Sequence, residues 1–298
     1  METIYLRHPM KVFAEQEIDS CVLALGFFDG IHIGHREIIE TAKQLAKEKQ
    51  YAFGVMTFYP HPKDILFPDR EPMTYLTPLL VKEEQFKKLG VDKLFIVEFT
   101  QEFARLSPED FVEQYINGLQ CKHVVAGFDY HYGFKGSGNM DTLASAGQGK
   151  FDVTVINKIE HKDEKISSTA IRNLLSTGNV TSIPQFLGSF YEIRGQVQKA
   201  NLFYNNHQFI KILVEEDFRI PKPGVYRIEV EIDKNKYMGV CHQISVIQNQ
   251  PLLVVHLSNC QIDTRQKEVK VKWIQYLKAK QKEESDMNIY FERDELVI

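Results

Sequence analysis

The sequence has few cysteines, no long apolar run and little net charge, and each absence excludes a class of protein. The cysteines are widely spaced and form no C-x-x-C pair, which argues against a disulfide scaffold or a cysteine metal site and favours a reducing compartment. No segment approaches the roughly 20 apolar residues of a membrane span, and residues 1–17 carry charges throughout, unlike a signal peptide. The four cysteines are Cys21, Cys121, Cys241 and Cys260.

The net charge and the composition further limit the class of protein to which the chain can belong. The formal net charge of −4 and the pI near 6.2 argue against nucleic acid or an anionic membrane as the main partner. The chain has 298 residues, 43% of them hydrophobic and 26% charged, which is typical of a soluble globular protein with about two domains. A chain of this length can bury a sizeable core without disulfide bonds or metal ions to stabilise it. The sequence therefore predicts a cytoplasmic protein with no nucleic-acid or membrane partner.

The first half alternates short apolar runs with segments of helical periodicity. Near-continuous apolar strands separated by helices are typical of a parallel sheet that is covered on both faces. Ligands of such sheets bind beyond the carboxyl ends of the strands, so the residues after each run are the candidates for chemistry. The predicted strands span residues 21–28, 52–58, 93–99, 124–128 and 153–156, and the predicted helices span 37–49, 81–89 and 108–119, the last with Ser107 as N-cap.

The second half has a different pattern, in which several segments alternate polar and apolar residues between turns. This pattern favours an antiparallel sheet or small barrel. The segment 182–187 contains Pro184 and is the predicted boundary, and the polar tract 278–286 is interpreted as a solvated terminal helix. The predicted strands span residues 194–198, 209–214, 225–232, 236–240, 244–247, 252–257 and 268–273.

The strongest functional signal is the segment 26–35, GFFDGIHIGH, which follows the first apolar run and leads into a predicted helix. His32 and His35 are three residues apart and lie on one side of a first helical turn. Gly34 between them lacks a Cβ, which lets a phosphate approach the backbone, and the N–H groups of a helix start favour an anion. Two unrelated surface histidines are the alternative, but the glycine spacing and the strand-to-helix position favour a phosphate site.

The segment 165–172, KISSTAIR, supplies a second candidate anion site. Ser168 or Thr169 is predicted to cap a short helix over residues 171–175, and Gly178 could end that helix. The hydroxyls, the helix start and Arg172 together could bind an anion. A plain capping motif would explain the hydroxyls alone, but not the position of this segment after the last strand of the sheet.

The H-x-G-H motif resembles that of the nucleotidyltransferase superfamily, which includes class I aminoacyl-tRNA synthetases. Other segments narrow the resemblance to the prokaryotic FAD synthetase family, whose members are usually bifunctional as riboflavin kinase and FMN adenylyltransferase. The resemblance implies an α/β fold, with a Rossmann-like nucleotidyltransferase domain on a parallel sheet and a small antiparallel β-barrel after it. The segments that carry it are 26–35, 57–62 (TFYPHP), 106–111 (LSPEDF), 127–133 (GFDYHYG) and 166–172 (ISSTAIR).

The resemblance also implies roles for individual residues. A rigid loop is the alternative for the Pro-His-Pro turn, and a structural turn is the alternative for Asp129. The implied catalytic residues are His32, His35 and Arg172. The implied ATP-binding residues are Gly26, Phe27, Asp29, Gly34, Ser167, Ser168 and Thr169, with Asp29 shaping the first phosphate loop. The implied flavin-binding residues are Pro60, His61, Pro62 and Asp129.

The second domain keeps strand segments of a riboflavin kinase barrel but departs from the functional residues of that family. The family segment G-R-x-L-G-x-P-T-A-N is not recognisable where residues 198–206 read QKANLFYNN, and the catalytic glutamate corresponds to Val254, which cannot accept a proton. The sequence therefore predicts an adenylyltransferase domain over residues 1–186 and a barrel without kinase activity over 187–298. A scaffold and a flavin-sensing or partner-binding module are the alternatives for this barrel.

The expected reaction is transfer of AMP from ATP to FMN, which gives FAD and pyrophosphate. FMN and ATP are the expected partners, Mg²⁺ enters with ATP, and no protein ligands for a metal are predicted. The histidines would donate hydrogen bonds to the transferred phosphate, and Arg172 would neutralise the pyrophosphate. A bifunctional kinase and adenylyltransferase is the first alternative. The others are an H-x-G-H transferase acting on a different phosphate, which the remaining motifs disfavour, and a flavin-binding regulator, which the intact histidines and arginine disfavour.

Overall fold

The computed structural model describes residues 1–10, 19–200, 207–215, 217–247, 250–260 and 262–278. The chain divides into two compact units, Met1–Ile166 and Ser167–Ile298. The first contains a six-stranded parallel sheet with helices, and the second contains a closed antiparallel barrel of six strands. The predicted fold class is therefore confirmed, whereas the predicted domain boundary after residue 186 stays a prediction.

The first unit alternates strands and helices, with short helical turns at Phe103–Arg105 and Phe134–Gly136 and a π-helix at Val112–Asn117. Its strands are β1 (Glu2–Leu6), β2 (Cys21–Leu25), β3 (Ala52–Tyr59), β4 (Lys93–Glu98), β5 (Cys121–Gly127), β6 (Asp152–Ile156), β7 (Glu160–His161) and β8 (Glu164–Lys165). Its helices are α1 (Ile33–Lys49), α2 (Pro62–Leu66), α3 (Leu79–Leu89), α4 (Pro108–Phe111) and α5 (Met140–Gly147).

The parallel sheet has the strand order β1-β4-β3-β2-β5-β6. β2 reads CVLAL, and all five of its residues are buried because both faces of the sheet are covered. Cys21, Leu23 and Leu25 belong to the core on one face. Val22 and Ala24 belong to the core on the other face, as the alternation of side chains along a strand requires.

Helix α1 connects β2 to β3 and packs on the sheet against β2, β3 and β5. Its apolar residues Ile38, Ile39, Ala42 and Ala46 recur at helical spacing and are buried against the sheet. Because the helix starts only a few residues after β2 ends, its first turn lies beyond the carboxyl end of that strand. The fold therefore places the start of α1 where parallel sheets bind ligands.

The second unit begins with helices and continues as the barrel, whose strand order is β10-β13-β12-β11-β14-β9. Trp273, Tyr191 and Tyr226 are fully buried inside it. Its elements are α6 (Ser168–Thr177), a short helical turn (Val180–Ser182), α7 (Pro184–Leu187), β9 (Tyr191–Ala200), β10 (His207–Val214), β11 (Val225–Ile232), β12 (Asn235–Ile247), β13 (Gln250–Ser258) and β14 (Glu268–Lys278).

Several predicted elements differ from the observed ones. The helix predicted over residues 108–119 begins after the N-cap Ser107 as expected, but only α4 is α-helical and the π-helix follows it. The strands predicted over 236–240 and 244–247 form the single strand β12. β1, α2 and α5 were not predicted. The terminal helix predicted over 278–286 lies outside the described residues, apart from Lys278, which ends β14.

Candidate active site

Three of the predicted functional segments follow the carboxyl ends of neighbouring strands. Residues 26–35 follow β2, the turn at 60–62 follows β3, and Asp129 comes shortly after β5. β2 lies between β3 and β5 in the sheet. The carboxyl ends of parallel strands meet at one edge, so the structure brings these three segments to the same edge of the sheet.

His32 is the N-cap of α1 and is 6% exposed. Its ring Nδ1 accepts a hydrogen bond from the backbone N–H of His35 at 3.2 Å. A neutral imidazole whose Nδ1 accepts a hydrogen bond carries its proton on Nε2. Burial, with a further contribution from the positive charge of Lys165, lowers the pKa of His32 to about 4. At neutral pH, His32 is therefore an uncharged ring with an Nε2–H group as its donor.

His35 stacks directly on His32, with ring centroids 3.6 Å apart and the planes 17° from parallel. The ring of Phe28 packs edge-on against His35 with a centroid separation of 5.2 Å. Burial lowers the pKa of His35 well below the usual histidine value, and His32 and Lys82 lower it further. The Nδ1 atom of His35 is buried and has no hydrogen-bond partner in the described part of the chain. The site thus contains two stacked neutral imidazoles, one of them with an unused polar atom.

Asp29 shapes the loop between β2 and α1. Its buried Oδ1 accepts hydrogen bonds from the backbone N–H groups of Leu76 at 2.9 Å and Thr77 at 3.0 Å, just before α3. The same loop has left-handed backbone at Phe28 and Ile31, with φ of 55° and 41°. Such conformations persist only where the surroundings fix them. Asp29 therefore ties this loop to the start of α3, while its contribution to ATP binding stays a prediction.

Lys82 lies beneath the same loop and is 2% exposed. Its Nζ donates a hydrogen bond to the carbonyl of Phe27 at 2.8 Å and lies 4.4 Å from the centroid of the Phe27 ring. Thr57 also donates from its hydroxyl to the Phe27 carbonyl, at 2.9 Å. Burial lowers the pKa of Lys82 to about 8, although the nearby Asp29 raises it. A buried lysine with these partners fixes the position of Phe27 from α3.

The turn at residues 60–62 contacts the histidine loop through Phe27. The ring of His61 packs edge-on against that of Phe27, with centroids 4.5 Å apart. His61 also caps α2, because its Nδ1 accepts the backbone N–H of Lys63, and its own N–H donates to the hydroxyl of Tyr75 at 3.0 Å. Pro62 is the first residue of α2 and Pro60 precedes His61. A residue predicted to bind ATP and one predicted to bind the flavin are therefore in direct contact.

Asp129 forms an ion pair with Lys165, the last residue of β8. The Nζ of Lys165 also lies 4.7 Å from the centroid of the Phe128 ring. Both partners are partly exposed, and both influence His32, since the positive charge of Lys165 lowers its pKa and the negative charge of Asp129 raises it. The structure therefore places a half-exposed ion pair next to the histidine pair.

Two glycines of the histidine motif lie close to the rings of neighbouring side chains. A Cβ on Gly26 would lie 2.9 Å from the ring of Phe28, which is closer than atoms pack. A Cβ on Gly34 would lie 3.3 Å from the ring of His32 and 3.8 Å from the carbonyl oxygen of Ile166. A side chain at residue 34 would therefore press against the ring of His32, and the role of Gly34 in ATP binding stays a prediction.

Helix α6 carries the second predicted anion segment, in the second unit. Its N-cap is Ser167, whose side chain accepts a backbone N–H three residues on. The predicted cap at Ser168 or Thr169 is therefore wrong, and those two residues belong to the first turn. Gly178 ends the helix in a left-handed conformation, as predicted, and Arg172 lies within the helix. The roles of these residues in ATP binding stay predictions.

In the described ranges, no three His, Cys, Asp or Glu side chains are grouped as a metal site would need. Nor does any helix of those ranges combine the length and the apolar character needed to cross a membrane.

Sequence reasoning missed two lysines of this region. Lys82 lies four residues before the buried Phe86 on the inner face of α3, a spacing that could have indicated it, but a lysine in a helix is usually exposed. Lys165 is the first residue of the segment 165–172, which was predicted to bind an anion. Only the hydroxyl residues and Arg172 of that segment were given roles. The importance of both lysines is apparent only from the structure, which shows the loops that they contact.

In the barrel, the position predicted to lack the kinase base is an apolar one. Val254 lies on β13 and is 4% exposed. His256, two residues further along β13, stacks on the ring of Phe209 with centroids 4.7 Å apart. The end of β9 covers residues 198–200 of the altered Gly-rich segment, and residues 201–206 lie outside the described residues.

Comparisons with known proteins identify both units. The sequence profile described as FAD synthetase matches residues 14–170, and the one described as riboflavin kinase matches residues 187–288. A bifunctional riboflavin kinase/FMN adenylyltransferase from Listeria monocytogenes is 39% identical over 288 residues, which cover 95% of this chain and 91% of the relative. One of the same description from Bacillus subtilis is 37% identical over 290 residues, covering 95% and 92%.

A solved structure extends the similarity to three dimensions. A crystal structure described as a macrolide-efflux protein from Streptococcus pneumoniae matches with a TM-score of 0.82 and 26% identity, covering 99% of this chain and 97% of that one. The two profiles and the two relatives favour the bifunctional alternative over the monofunctional prediction. The chain belongs to the prokaryotic FAD synthetase family and carries, after its adenylyltransferase half, the riboflavin kinase domain that usually accompanies it.

Proposed function

We propose that this chain is an FMN adenylyltransferase, which transfers AMP from ATP to the phosphate of FMN and releases FAD and pyrophosphate. The observation that supports this most directly is the stacked pair of neutral histidines at the start of α1, beyond the carboxyl end of β2. Membership of the FAD synthetase family supplies the identity of the substrates.

In the proposed reaction, an oxygen of the FMN phosphate attacks the α-phosphorus of ATP, and the bond from that phosphorus to the bridging oxygen of pyrophosphate breaks. The nucleophile is already anionic, so no strong general base is needed. The obstacle is the repulsion between two anions, which positioning and hydrogen-bond donors reduce. Donors fixed in a water-poor site stabilise developing charge without reorganising.

The histidines suit the role of donors because they are neutral. A protonated ring would be attracted more strongly to the anions of the site, but it would have to be buried as a cation. His32 instead offers the N–H of Nε2, since its Nδ1 is held by the backbone of α1. We assign the transferred phosphate to His32 and His35, and the departing pyrophosphate to Arg172 and the Ser167–Thr169 hydroxyls. Mg²⁺ is proposed as part of the nucleotide substrate, bound to the phosphates of ATP.

The flavin is assigned to the turn at residues 60–62 and to Asp129, at the same edge of the sheet. The contact between His61 and Phe27 supports this assignment, because it links the flavin loop to the loop of the histidine motif. The buried Lys82 fixes Phe27 from below. Phe27 therefore lies between the turn assigned to the flavin and the buried Lys82.

A second candidate function, phosphorylation of riboflavin to FMN by the barrel, is favoured by the family profile over residues 187–288 and by the description of both relatives. The observation against it is the buried Val254, which stands where the resemblance implies the catalytic glutamate of the kinase. General-base catalysis is typically worth about 10²–10⁴-fold in rate. A bifunctional chain would therefore need another carboxylate in the place of that glutamate.

Product analysis tests both candidates. The full chain is incubated with ATP and Mg²⁺ plus either FMN or riboflavin, and the flavins are separated. FAD from FMN is the result expected of the adenylyltransferase. If FMN or FAD forms from riboflavin, the chain is bifunctional. If neither forms from riboflavin while FAD is still made from FMN, the chain is monofunctional. Pantetheine phosphate and NMN serve as control acceptors for other nucleotidyltransferase activities.

A further inference from the structure

Helix α6 ends against the barrel of its own unit. The carbonyl of Leu175, in the last turn of the helix, accepts a hydrogen bond from the backbone N–H of Lys222 at 3.0 Å. Gly178 ends the helix in a left-handed conformation, with φ of 79°. A Cβ at this position would lie 2.7 Å from Cε of Lys222 and 3.0 Å from the hydroxyl oxygen of Tyr226. The end of α6 and the segment around Lys222 are therefore packed too closely to admit a side chain between them.

The barrel in turn holds Lys222 in place. Lys222 lies just before β11, between Pro221 and Pro223, whose rings limit the conformations of this segment. Its carbonyl accepts a hydrogen bond from the hydroxyl of Tyr226 at 2.7 Å, and its Nζ lies 4.7 Å from the centroid of the Tyr276 ring. Tyr226 is fully buried on β11, and Tyr276 lies on β14. Lys222 is thus fixed to two strands of the barrel.

The segment that follows α6 makes a second attachment to the barrel. The hydroxyl of Thr181 donates a hydrogen bond to the carbonyl of Ile274, in β14, at 3.4 Å. Val180 and Ile183, within and just after the same helical turn, are fully buried. The barrel therefore holds the end of α6 at two points, one at Lys222 and the other on β14.

The first half of α6 carries groups that the proposed function assigns to the departing pyrophosphate. These groups are Arg172 and the hydroxyls of residues 167–169. Ser168 and Leu175 are separated by about 10 Å along the helix axis, at 1.5 Å for each residue. Backbone hydrogen bonds keep so short a helix stiff, so a displacement of its last turn also displaces its first turn.

Resting on the proposed function, we propose that the barrel positions α6 for adenylyl transfer, with Lys222 and Tyr226 as positioning residues. The helix and the barrel belong to one compact unit, Ser167–Ile298. The barrel then contributes to FAD synthesis whether or not it phosphorylates riboflavin. The competing explanation is that the contact only stabilises the fold, in which case weakening it affects the use of ATP and of FMN alike, or neither.

The experiment introduces a methyl group into the contact. Gly178→Ala places a Cβ against Lys222 and Tyr226 and also strains the left-handed backbone. Gly149→Ala is the matched control, because Gly149 has a similar φ of 73° but no atom of the described chain, apart from its neighbours in sequence, within 4 Å of its Cβ position. For each variant, KM for MgATP, KM for FMN and kcat of FAD synthesis are measured on the full chain. Thermal unfolding followed by circular dichroism shows whether the variant folds.

We expect Gly178→Ala to raise KM for MgATP by about tenfold, since a 1 Å misplacement of a positioning group can cost up to about 10²-fold. KM for FMN should change by less than about twofold, because the turn and the aspartate assigned to the flavin lie in the other unit. Adding Lys222→Ala removes the Cε atom that the new methyl group meets, so the double variant should recover most of the loss. Gly149→Ala should leave both KM values within about twofold.

Equal KM values for MgATP in folded Gly178→Ala and Gly149→Ala would overturn the proposal, as would rises of the same size for MgATP and FMN or a loss that Lys222→Ala does not relieve. If Gly178→Ala does not fold, Tyr226→Phe is the second variant, because it keeps the buried ring and removes only the hydroxyl that holds Lys222. It should raise KM for MgATP alone by about fivefold, the usual effect of one neutral hydrogen bond, and an unchanged value overturns the proposal. Failure of the unmodified chain to make FAD from FMN would instead refute the proposed function.

Discussion

Replacing Lys82 with methionine removes the buried charge beneath Phe27 while keeping the length of the side chain. In the folded protein the pKa of Lys82 is about 8, against an ordinary lysine value of 10.5. The difference of about 2.5 corresponds to roughly 3 kcal/mol of free energy at about 1.4 kcal/mol for each pKa unit. Because burial lowers this pKa, the unfolded chain binds more protons than the folded one between pH 8 and pH 10.5.

The sign of the pH dependence follows from that difference in proton binding. The free energy of unfolding rises with pH wherever the unfolded state binds more protons. The free energy of unfolding of the unmodified chain, minus that of Lys82→Met, should therefore increase between pH 8 and pH 10.5 by up to about 3 kcal/mol. The variant has no lysine to titrate there, so subtracting the two curves cancels the titration of all other groups.

The assay is urea unfolding at several pH values between 7 and 10.5, followed by far-ultraviolet circular dichroism for the helices. Trp273, the single tryptophan of the chain, is buried in the barrel and its fluorescence follows that unit separately. Lys87→Met removes an exposed lysine from the same helix and is the matched control. Parallel pH curves for the unmodified chain and Lys82→Met would refute the argument that a charged Lys82 is buried under the loop. The same variant should also lose at least about tenfold in kcat/KM for FAD synthesis, since the Phe27 carbonyl loses a charged donor.

Further predictions concern the histidines and Arg172. His32→Ala and His35→Ala should each lower the kcat of adenylyl transfer by at least about tenfold, since one donor aimed at developing charge is often worth 10²–10³; unchanged turnover in a folded variant would contradict the phosphate assignment. The pKa of His32 at about 4 keeps its ring neutral, so an acid limb in kcat between pH 5.5 and 7.5 should come from the phosphate of FMN, whose second pKa is about 6, and should persist in His32→Ala. Arg172→Lys keeps the charge but loses the planar fork that grips two oxygens, so steady-state kinetics should show a higher KM for ATP and an unchanged KM for FMN. A loss of FMN binding alone would place Arg172 on the other substrate.

The sheet and the barrel were predictable because their strands carry strong local patterns. β2 is buried on both faces and is therefore apolar throughout, and β11 has the bounds that its alternation predicts. β1 was missed because only Leu6 of its five residues is buried, while Tyr5 is 66% exposed. A strand at the edge of a sheet has too few buried side chains to show a pattern.

The histidine pair was predicted from its spacing, its glycine and its position between a strand and a helix, but its electrostatics were not. A separation of three residues places both rings on one side of a helical turn, yet stacking at 3.6 Å and the low pKa of both rings depend on burial by Phe28 and the surrounding loops. The N-cap of α6 shows a limit of prediction from the local sequence. Ser167, Ser168 and Thr169 can all cap a helix, so sequence could not decide among three successive hydroxyls.

Lys82 and Lys165 show a limit set by tertiary structure. Each is an ordinary lysine in the sequence, and each acquires its importance from a residue distant along the chain, Phe27 in one case and Asp129 in the other. Neither pairing can be found from propensity or periodicity, because both depend on which loops meet at the carboxyl edge of the sheet.

The fate of FMN in the presence of MgATP decides whether the chain is an FMN adenylyltransferase. The purified full chain is incubated with FMN, MgATP labelled at the α-phosphate and inorganic pyrophosphatase, and the flavins are separated by chromatography. We expect the label to appear in FAD, with two phosphates released for each FAD formed, and we expect His32→Ala and His35→Ala to reduce the yield greatly. No labelled FAD from the folded, unmodified chain would contradict it.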